Sequence, residues 1–152
     1  AGGAARAIAV ESALAGASTI TVINRNAQRG AALAKLISDN TGCAAVYEPW
    51  TGTANIPAGA QILVNATSVG LYPDTGMPDV DMAGITAGQV VCDVIPNPPE
   101  TPFLQEAARR GAKTVSGLGM LVYQGAIGFE IWTGQTAPVD VMLAALRKAF
   151  EG

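Results

Sequence analysis

Residues 1–23, AGGAARAIAVESALAGASTITVI, place a glycine-rich turn before an alanine-rich helical pattern and a short apolar strand. This order fits the tail of the G-x-G-x-x-A turn of a dinucleotide-binding domain, with Gly2 as the second glycine and Ala5 as the closing small residue. Small residues let the backbone approach a pyrophosphate, which the free amides and the positive end of the helix dipole then hold. The same turn also fits a helix start with close packing and no ligand.

Downstream, short apolar runs alternate with helical patterns, which is typical of a parallel sheet that carries helices. The predicted strands lie near 19–23, 43–47, 60–67, 89–95 and 112–116. The predicted helices are Ala4–Gly16, Ala27–Ser38, a segment from Thr101-Pro102 to Arg110, Leu121–Trp132 and Val139–Phe150. The continuous apolar run within 60–67 predicts a strand covered on both faces, and 71–88 is predicted to be a long loop. We therefore expect one domain over residues 1–152, of the α/β class, with a Rossmann-like parallel sheet and helices on both faces.

A domain of this class starts with a strand that leads into the glycine turn, and no such strand pattern precedes Ala1. We expect that first strand, and the first glycine of the turn, to lie upstream of residue 1. Its place in the sheet is expected between the strands at Thr19 and Ala60, since a domain without it would expose two sheet edges.

Composition excludes several classes of function. Hydrophobic residues make up 49% of the chain, the net charge is −3, and the nine Lys and Arg form no cluster, so no nucleic-acid partner is expected. No apolar run is long enough to span a membrane, and no signal peptide is visible. The chain has no His, so neither a zinc site nor a Ser-His-Asp triad is expected. Cys43 and Cys92 stand alone in apolar runs, as reduced core thiols of a cytoplasmic protein do.

Arginines follow the first visible strand, where an NAD-binding domain has an acid that accepts the ribose hydroxyls. Residues 24–29 read NRNAQR and contain no carboxylate. Arg25 can stack on an adenine and pair with a ribose 2′-phosphate, and Arg29 adds a second charge, which favours NADP. Two solvated arginines are the alternative, at a small cost because positive charge opposes the helix dipole.

Polar residues also follow two later strands. Asn65, Thr67 and Ser68 come at the carboxyl end of a strand, where parallel sheets bind ligands, although an ordinary polar turn fits them as well. Asp93 ends the next strand and is expected to order the loop after it.

Five motifs, in this order and spacing, resemble the shikimate dehydrogenase family and together span nearly all 152 residues. The first is the glycine turn. The second, NRN with Arg29, is similar to the family's Asn-Arg-Thr motif with Asn26 in place of Thr. The others are NATSVG at 65–70, DVIPNPPETP at 93–102 and GLGMLVYQ at 117–124.

The resemblance implies NADP-dependent, reversible reduction of 3-dehydroshikimate to shikimate. Combined with the patterns described above, the resemblance predicts a cofactor site. Its expected members are Ala1, Gly2, Gly3, Ala4, Asn24, Arg25, Asn26, Arg29, Asn65, Thr67, Ser68, Val94 and Gly117. The resemblance implies that Gln124 contacts the substrate, since an amide can donate to and accept from a polyol. It also implies an N-terminal substrate domain that carries the catalytic residues, so none is assigned in this chain, which is expected to be inactive alone. Without the resemblance, Val94 and Gly117 also fit a role in packing alone. Gln124 then also fits a solvent-exposed position on a helix.

Pro96 departs from the family, which has a substrate-contacting tyrosine there. Proline supplies neither a hydroxyl nor a backbone N–H, so quinate or an aminated analogue stays open as the substrate. A dinucleotide-binding module without chemistry is another class of function. A third is another two-domain dehydrogenase, such as a methylenetetrahydrofolate dehydrogenase or a glutamyl-tRNA reductase, against which the Gly117–Gln124 stretch argues. The sequence leaves the oligomeric state open, a homodimer included.

Overall fold

The computed structural model describes residues 1–151 and has the alternating α/β order that the sequence predicts. Its elements are α1 Gly3–Leu14, β1 Thr19–Asn24, α2 Ala27–Asn40, β2 Ala44–Pro49, β3 Ile62–Asn65, β4 Val90–Asp93, α3 Pro102–Arg109, β5 Lys113–Val115, α4 Leu118–Thr133 and α5 Val139–Glu151. A short 3₁₀ turn at Met82–Gly84 interrupts the long segment between β3 and β4. All strand pairs are parallel, which confirms the predicted class of fold.

The chain divides into two compact units, and the first consists of Ala1–Ala60 and Asp79–Gly84. Here β1 pairs with β2, with Thr19 opposite Ala44, and α1 and α2 pack on β1. Burial of the apolar faces of these elements forms the core of this unit. Its buried members are Ala13, Val22, Leu33, Ala34, Ile37 and Cys43.

The second unit consists of Gln61–Pro78 and Ile85–Gly152, and its sheet has the strand order β3-β4-β5. The register places Asn65, at the end of β3, opposite Asp93, at the end of β4. Helix α3 packs on β4 and β5, and α4 packs on α5. Val91 and Phe103 are almost completely buried in this unit.

Local capping explains where two of the helices begin. The side chain of Asn26 accepts a hydrogen bond from the Arg29 amide at 2.9 Å and caps α2. Thr101 does the same for α3 through the Leu104 amide at 3.3 Å, and Pro102 follows as the first helical residue. Both arrangements satisfy amides that have no partner within the helix, as the Thr101-Pro102 pattern predicts.

Three details of the expected elements are wrong. Strand β3 covers 62–65 instead of 60–67, because the Asn65 side chain accepts hydrogen bonds from Thr67 and turns the chain. Within the described residues Ile62 of this strand is 63% exposed, whereas Leu63 and Val64 are half-buried, so the expected coverage of both faces does not extend to Ile62. Helix α4 begins at Leu118 instead of Leu121, because Gly117 already has helical backbone angles. The other predicted elements agree with the structure to within about two residues.

Cys43 and Cys92 are both free thiols, as expected, with Cys43 buried and Cys92 half-buried. Within residues 1–151, no helix combines the length and the apolar character that crossing a membrane requires. Strands β1 and β3 belong to separate sheets. The expected strand between them lies outside the described residues and stays a prediction.

Candidate cofactor and substrate site

The glycine turn leads directly into α1. Gly2 has an extended backbone at the N-cap, and α1 starts at Gly3 without an acidic residue in its first turn. A Cβ added at either glycine would have no neighbour within 4 Å among the described residues, so the surface in front of the helix is open. The first amides of a helix have no intrahelical partner, and here no side chain caps them. Such a surface suits an anion.

Asn24 connects this turn to the end of β1. Its Oδ1 accepts a hydrogen bond from the nitrogen of Ala1, and its Nδ2 donates to the carbonyl oxygen of Asn26 at 2.9 Å. Three of the residues predicted to bind the cofactor are thus brought together in the first unit.

Arg25 and Arg29 lie at the start of α2, and both are exposed. The ion pairs among the described side chains join Lys35 to Asp39, and Glu106 to Arg109 and Arg110 at the end of α3, so neither Arg25 nor Arg29 has a carboxylate partner among them. Unpaired guanidinium groups beside a helix N-terminus are unfavourable without an anion. The arrangement therefore provides two free charges for a phosphate group.

Tyr47, which the sequence analysis did not single out, supports the first turn of α2. Its hydroxyl donates to the carbonyl oxygen of Asn24 at 3.1 Å. Its ring lies so close to Gly30 that a Cβ on that glycine would fall 2.3 Å from a ring carbon. The contact holds α2 against the end of β2, and no local sequence pattern indicates it.

In the second unit, the polar strand ends form one hydrogen-bonded group. The side chains of Asn65 and Asp93 are joined by a hydrogen bond of 3.0 Å, with Asn65 donating. Asn65 Nδ2 also donates to the Val69 carbonyl oxygen at 3.2 Å, while its Oδ1 accepts from the amide and hydroxyl of Thr67. Every hydrogen-bonding position of the Asn65 amide is therefore occupied within the protein. Ser68, in contrast, is exposed.

Asp93 orders the loop that follows it, as the sequence predicts. Its Oδ1 accepts from the Ile95 amide at 3.1 Å, and its Oδ2 accepts from the Thr101 hydroxyl at 2.7 Å. Burial raises the pKa of this carboxyl, and the hydrogen bonds from Thr101, Ile95 and Asn65 oppose that rise.

The structure brings Val94 and Gly117 together. Gly117 is buried, and a Cβ placed on it would fall 2.6 Å from the carbonyl oxygens of Val94 and Ile95. Only glycine fits between α4 and the end of β4, so packing accounts for this residue type without a ligand.

Gln124 lies on the second turn of α4 and is exposed. Its Nε2 donates to the Leu121 carbonyl oxygen at 2.9 Å. Pro96 is half-buried in the loop after β4, where the neighbouring Asn97 carbonyl oxygen accepts from the Tyr72 amide at 3.0 Å.

The glycine turn before a helix, the parallel strands and the polar strand ends are features of a Rossmann-like α/β fold. A family model described as "Shikimate 5'-dehydrogenase C-terminal domain" matches residues 117–147. The chain is 44% identical over 151 residues to the shikimate dehydrogenase (NADP(+)) of Desulforamulus reducens, covering 97% of this chain and 52% of that protein. The chain is thus similar, over nearly its whole length, to about half of a shikimate dehydrogenase, and residues 117–147 match the C-terminal domain of that family.

Two solved structures are similar over almost the whole chain. The ligand-free 5-ketofructose reductase of Gluconobacter sp. strain CHM43 is 50% identical with a TM-score of 0.90, covering 98% of this chain and 54% of that one. The shikimate 5-dehydrogenase of Thermus thermophilus, in complex with NADP(H) and shikimate, is 36% identical with a TM-score of 0.78, covering 97% and 52%. The chain thus spans about half the length of these relatives.

Proposed function

We propose that this chain is the NADP-binding domain of an NADP-dependent shikimate dehydrogenase, which reduces 3-dehydroshikimate to shikimate reversibly. The observation that carries the proposal is the pair of unpaired arginines, Arg25 and Arg29, at a strand end without a carboxylate. The relatives from Desulforamulus reducens and Thermus thermophilus, named for NADP, support the same cofactor.

The described residues fit NADP. In the first unit, the open surface at Gly2 and Gly3 suits the pyrophosphate, and Arg25 with Arg29 suits the 2′-phosphate. Asn24 and Asn26 hold these two parts of the unit in place. By family resemblance, Ser68, Val94 and Gly117 of the second unit meet the nicotinamide end. When bound, NADPH supplies the hydride for the reduction.

We assign the proton transfer to residues outside this chain. Reduction of a ketone needs the carbonyl carbon placed against the hydride donor and an acid that protonates the developing alkoxide. The motifs that follow β3 and β4 contain two carboxyl groups: Asp93 is 3% exposed and hydrogen-bonded within the protein, and Glu100 is exposed on the loop before α3. We therefore expect residues 1–152 alone to bind the cofactor without turnover.

A substrate domain of the same protein is the partner that we propose for α4. Four apolar side chains of α4 at helical spacing are between 42% and 74% exposed, namely Met120, Tyr123, Ile127 and Ile131. An apolar stripe of this kind marks an interaction surface, and Gln124 lies beside it. In the full-length protein, Ile127→Cys should react with a thiol reagent more slowly than Glu100→Cys, a change on an exposed loop. Equal rates would contradict the contact. We also propose a cytoplasmic location, which the two free thiols support.

A second candidate is a reductase of an open or cyclic sugar ketone. The 5-ketofructose reductase is 50% identical to this chain, against 44% for the shikimate dehydrogenase of Desulforamulus reducens. Pro96 also supports this second candidate, because it stands where the family has a tyrosine whose hydroxyl contacts shikimate, and proline has no hydroxyl. Quinate and aminated analogues are further substrates to test for the same reason.

One set of assays distinguishes these functions. With the full-length protein, kcat/KM is measured for shikimate and quinate with NADP and NAD, and for 5-ketofructose with NADPH and NADH. We expect the highest value for shikimate with NADP. A higher value for 5-ketofructose would replace the first candidate by the second, and a preference for NAD would contradict the role of the arginines. NADP binding without turnover of any substrate would support a non-catalytic module.

A further inference from the structure

Three buried polar side chains meet where β3 and β4 end. Asp93 is 3% exposed, Asn65 5% and Thr101 1%, and each is hydrogen-bonded to another member of the group. The carboxylate is the centre, since it accepts from the Asn65 amide, the Ile95 backbone N–H and the Thr101 hydroxyl. A buried carboxylate is costly unless donors satisfy it, so removing it leaves several donors without a partner.

Each donor belongs to a different segment. Asn65 controls the loop after β3, because Thr67 donates to its Oδ1 and the Val69 amide donates in turn to the Thr67 hydroxyl at 3.1 Å. Ile95 belongs to the loop after β4, and Thr101 caps α3. One carboxylate therefore sets the separation of two strand-end loops and the start of a helix.

The same group reaches α4 through backbone contacts. The carbonyl oxygens of Val94 and Ile95 lie against Gly117, the N-cap of α4, too closely for any Cβ. Because the Ile95 amide is held by Asp93, the position of these carbonyl groups depends on the carboxylate. The start of α4 in turn orients the helix that carries Gln124.

We propose that Asp93 is a positioning residue for the reaction, acting through Asn65, Ile95 and Thr101 on the loops that bear Ser68, Val94 and Pro96. The inference rests on the proposed function, because these loops are assigned to the nicotinamide and substrate end. It predicts different effects on the two ends of the cofactor. The hydrogen bonds of Asp93 with Asn65, Ile95 and Thr101 all lie within the second unit, whereas Arg25 and Arg29 belong to the first. Loss of the carboxylate should therefore disturb turnover and leave binding of the adenosine 2′-phosphate end intact.

The test compares four forms of the full-length protein: the parent, Asp93→Asn, Thr101→Val and Thr101→Ser. Asn keeps the shape of the side chain but lacks the negative charge and one acceptor oxygen, so a single oxygen is left for the three donors from Asn65, Ile95 and Thr101. Val removes the hydroxyl at nearly constant shape, and Ser restores it. The measurements are kcat and KM for each substrate, and the Kd of adenosine 2′,5′-bisphosphate, a probe of the arginine end alone.

We expect Asp93→Asn and Thr101→Val to lower kcat/KM by about tenfold or more, the effect of one or two buried hydrogen bonds. Thr101→Ser should stay within about threefold of the parent, and all four forms should bind the bisphosphate within about twofold of one another. A general loss of folding would lower bisphosphate affinity together with kcat/KM. Normal kcat/KM in Thr101→Ser with unchanged bisphosphate affinity would therefore exclude it. If Asp93→Asn does not fold, the difference in kcat/KM between Thr101→Val and Thr101→Ser tests the positioning role instead, since both variants retain the Asp93 carboxylate.

Unchanged kcat/KM in Asp93→Asn, or equal damage from Val and Ser at position 101, would overturn the positioning role. A parallel loss of bisphosphate affinity would overturn it as well. A parent that turns over substrate but does not bind the bisphosphate would contradict the NADP assignment and leave the positioning role supported by the kinetic contrast. A parent without turnover of any substrate would overturn both.

Discussion

Gly117 lies directly against the carbonyl oxygen of Val94, so close that a Cβ on residue 117 would fall 2.6 Å from that oxygen. Its backbone angles, φ −69° and ψ −7°, are open to any residue, so space and not conformation requires glycine here. The neighbouring atoms are backbone atoms and cannot rotate aside as a side chain does. The contact joins the loop after β4 to the start of α4.

Gly117→Ala should therefore destabilise the protein, by about 1–3 kcal/mol, as overpacking of a well-packed site does. The free energy of unfolding, measured with urea, checks this. Gly119→Ala is the matched control on the same helix, because its Cβ would have no neighbour within 4 Å among the described residues. The control should be neutral or gain up to about 1 kcal/mol from helix propensity. Equal unfolding midpoints for both variants would refute the packing argument.

Gly30→Ala should destabilise the first unit, although alanine favours a helix. The added Cβ would fall 2.3 Å from the ring of Tyr47, whose hydroxyl is held by the Asn24 carbonyl oxygen. We expect a loss of about 1–3 kcal/mol in urea unfolding. The double variant Gly30→Ala, Tyr47→Ala removes the clash, so the cost of the alanine at position 30 should disappear in that background. Persistence of the cost there would show that the ring is not its cause.

Arg25→Ala in the full-length protein should weaken NADP binding much more than NAD binding, because only NADP carries the 2′-phosphate. A charge-assisted hydrogen bond contributes roughly 1.5–3 kcal/mol, so the Kd for NADP should rise about ten- to a hundredfold. Calorimetric titration with both cofactors measures the difference. Lys35→Ala, an exposed change on the same helix, should leave both affinities unchanged. Equal losses for NADP and NAD would rule out a phosphate contact.

Gln124→Ala should affect the substrate and not the cofactor. Loss of an amide that satisfies a ring hydroxyl costs about 1–3 kcal/mol, so kcat/KM for shikimate should fall about ten- to a hundredfold while NADP affinity is unchanged. Gln105→Ala is the control, since this glutamine is also exposed on a helix and bonds to a backbone carbonyl oxygen. The substrate assignment would be wrong if Gln124→Ala had normal kinetics with both shikimate and quinate.

The stability contribution of Asp93 should depend on pH in a defined direction. Burial raises the pKa of its carboxyl above the ordinary value of 3.8, so the folded state binds the proton more tightly than the unfolded state. The contribution is present in full below about pH 3.8 and is lost as the pH rises through the folded-state pKa. Asp93→Asn does not titrate there, so the free energy of unfolding of the parent minus that of the variant should decrease from acid to neutral pH. Urea unfolding at several pH values measures this difference, and an increase with pH would contradict the raised pKa.

Most of the fold follows from local features of the sequence. The apolar spacing of α2 and α5, the Thr101-Pro102 start of α3 and the short apolar strands all depend on residues within a few positions of one another. The prediction was wrong where a local pattern competes with a turn. The apolar run within 60–67 predicts one long strand, but the Asn65 side chain bonds to Thr67 and β3 ends there.

The sequence by itself determined the alternating parallel α/β class, the glycine turn before α1, the paired arginines without an acid and the family motifs, because these are patterns of residue type and spacing. Only the tertiary structure decided that the Asn65 amide is fully used by its own protein, that Tyr47 closes over Gly30, and that Gly117 lies against Val94. The contacts of Asn65 with Asp93, of Tyr47 with Gly30 and of Gly117 with Val94 join residues that are distant along the chain. Their existence depends on the register of parallel strands and on how closely a helix approaches a strand end, which side-chain packing throughout each unit sets.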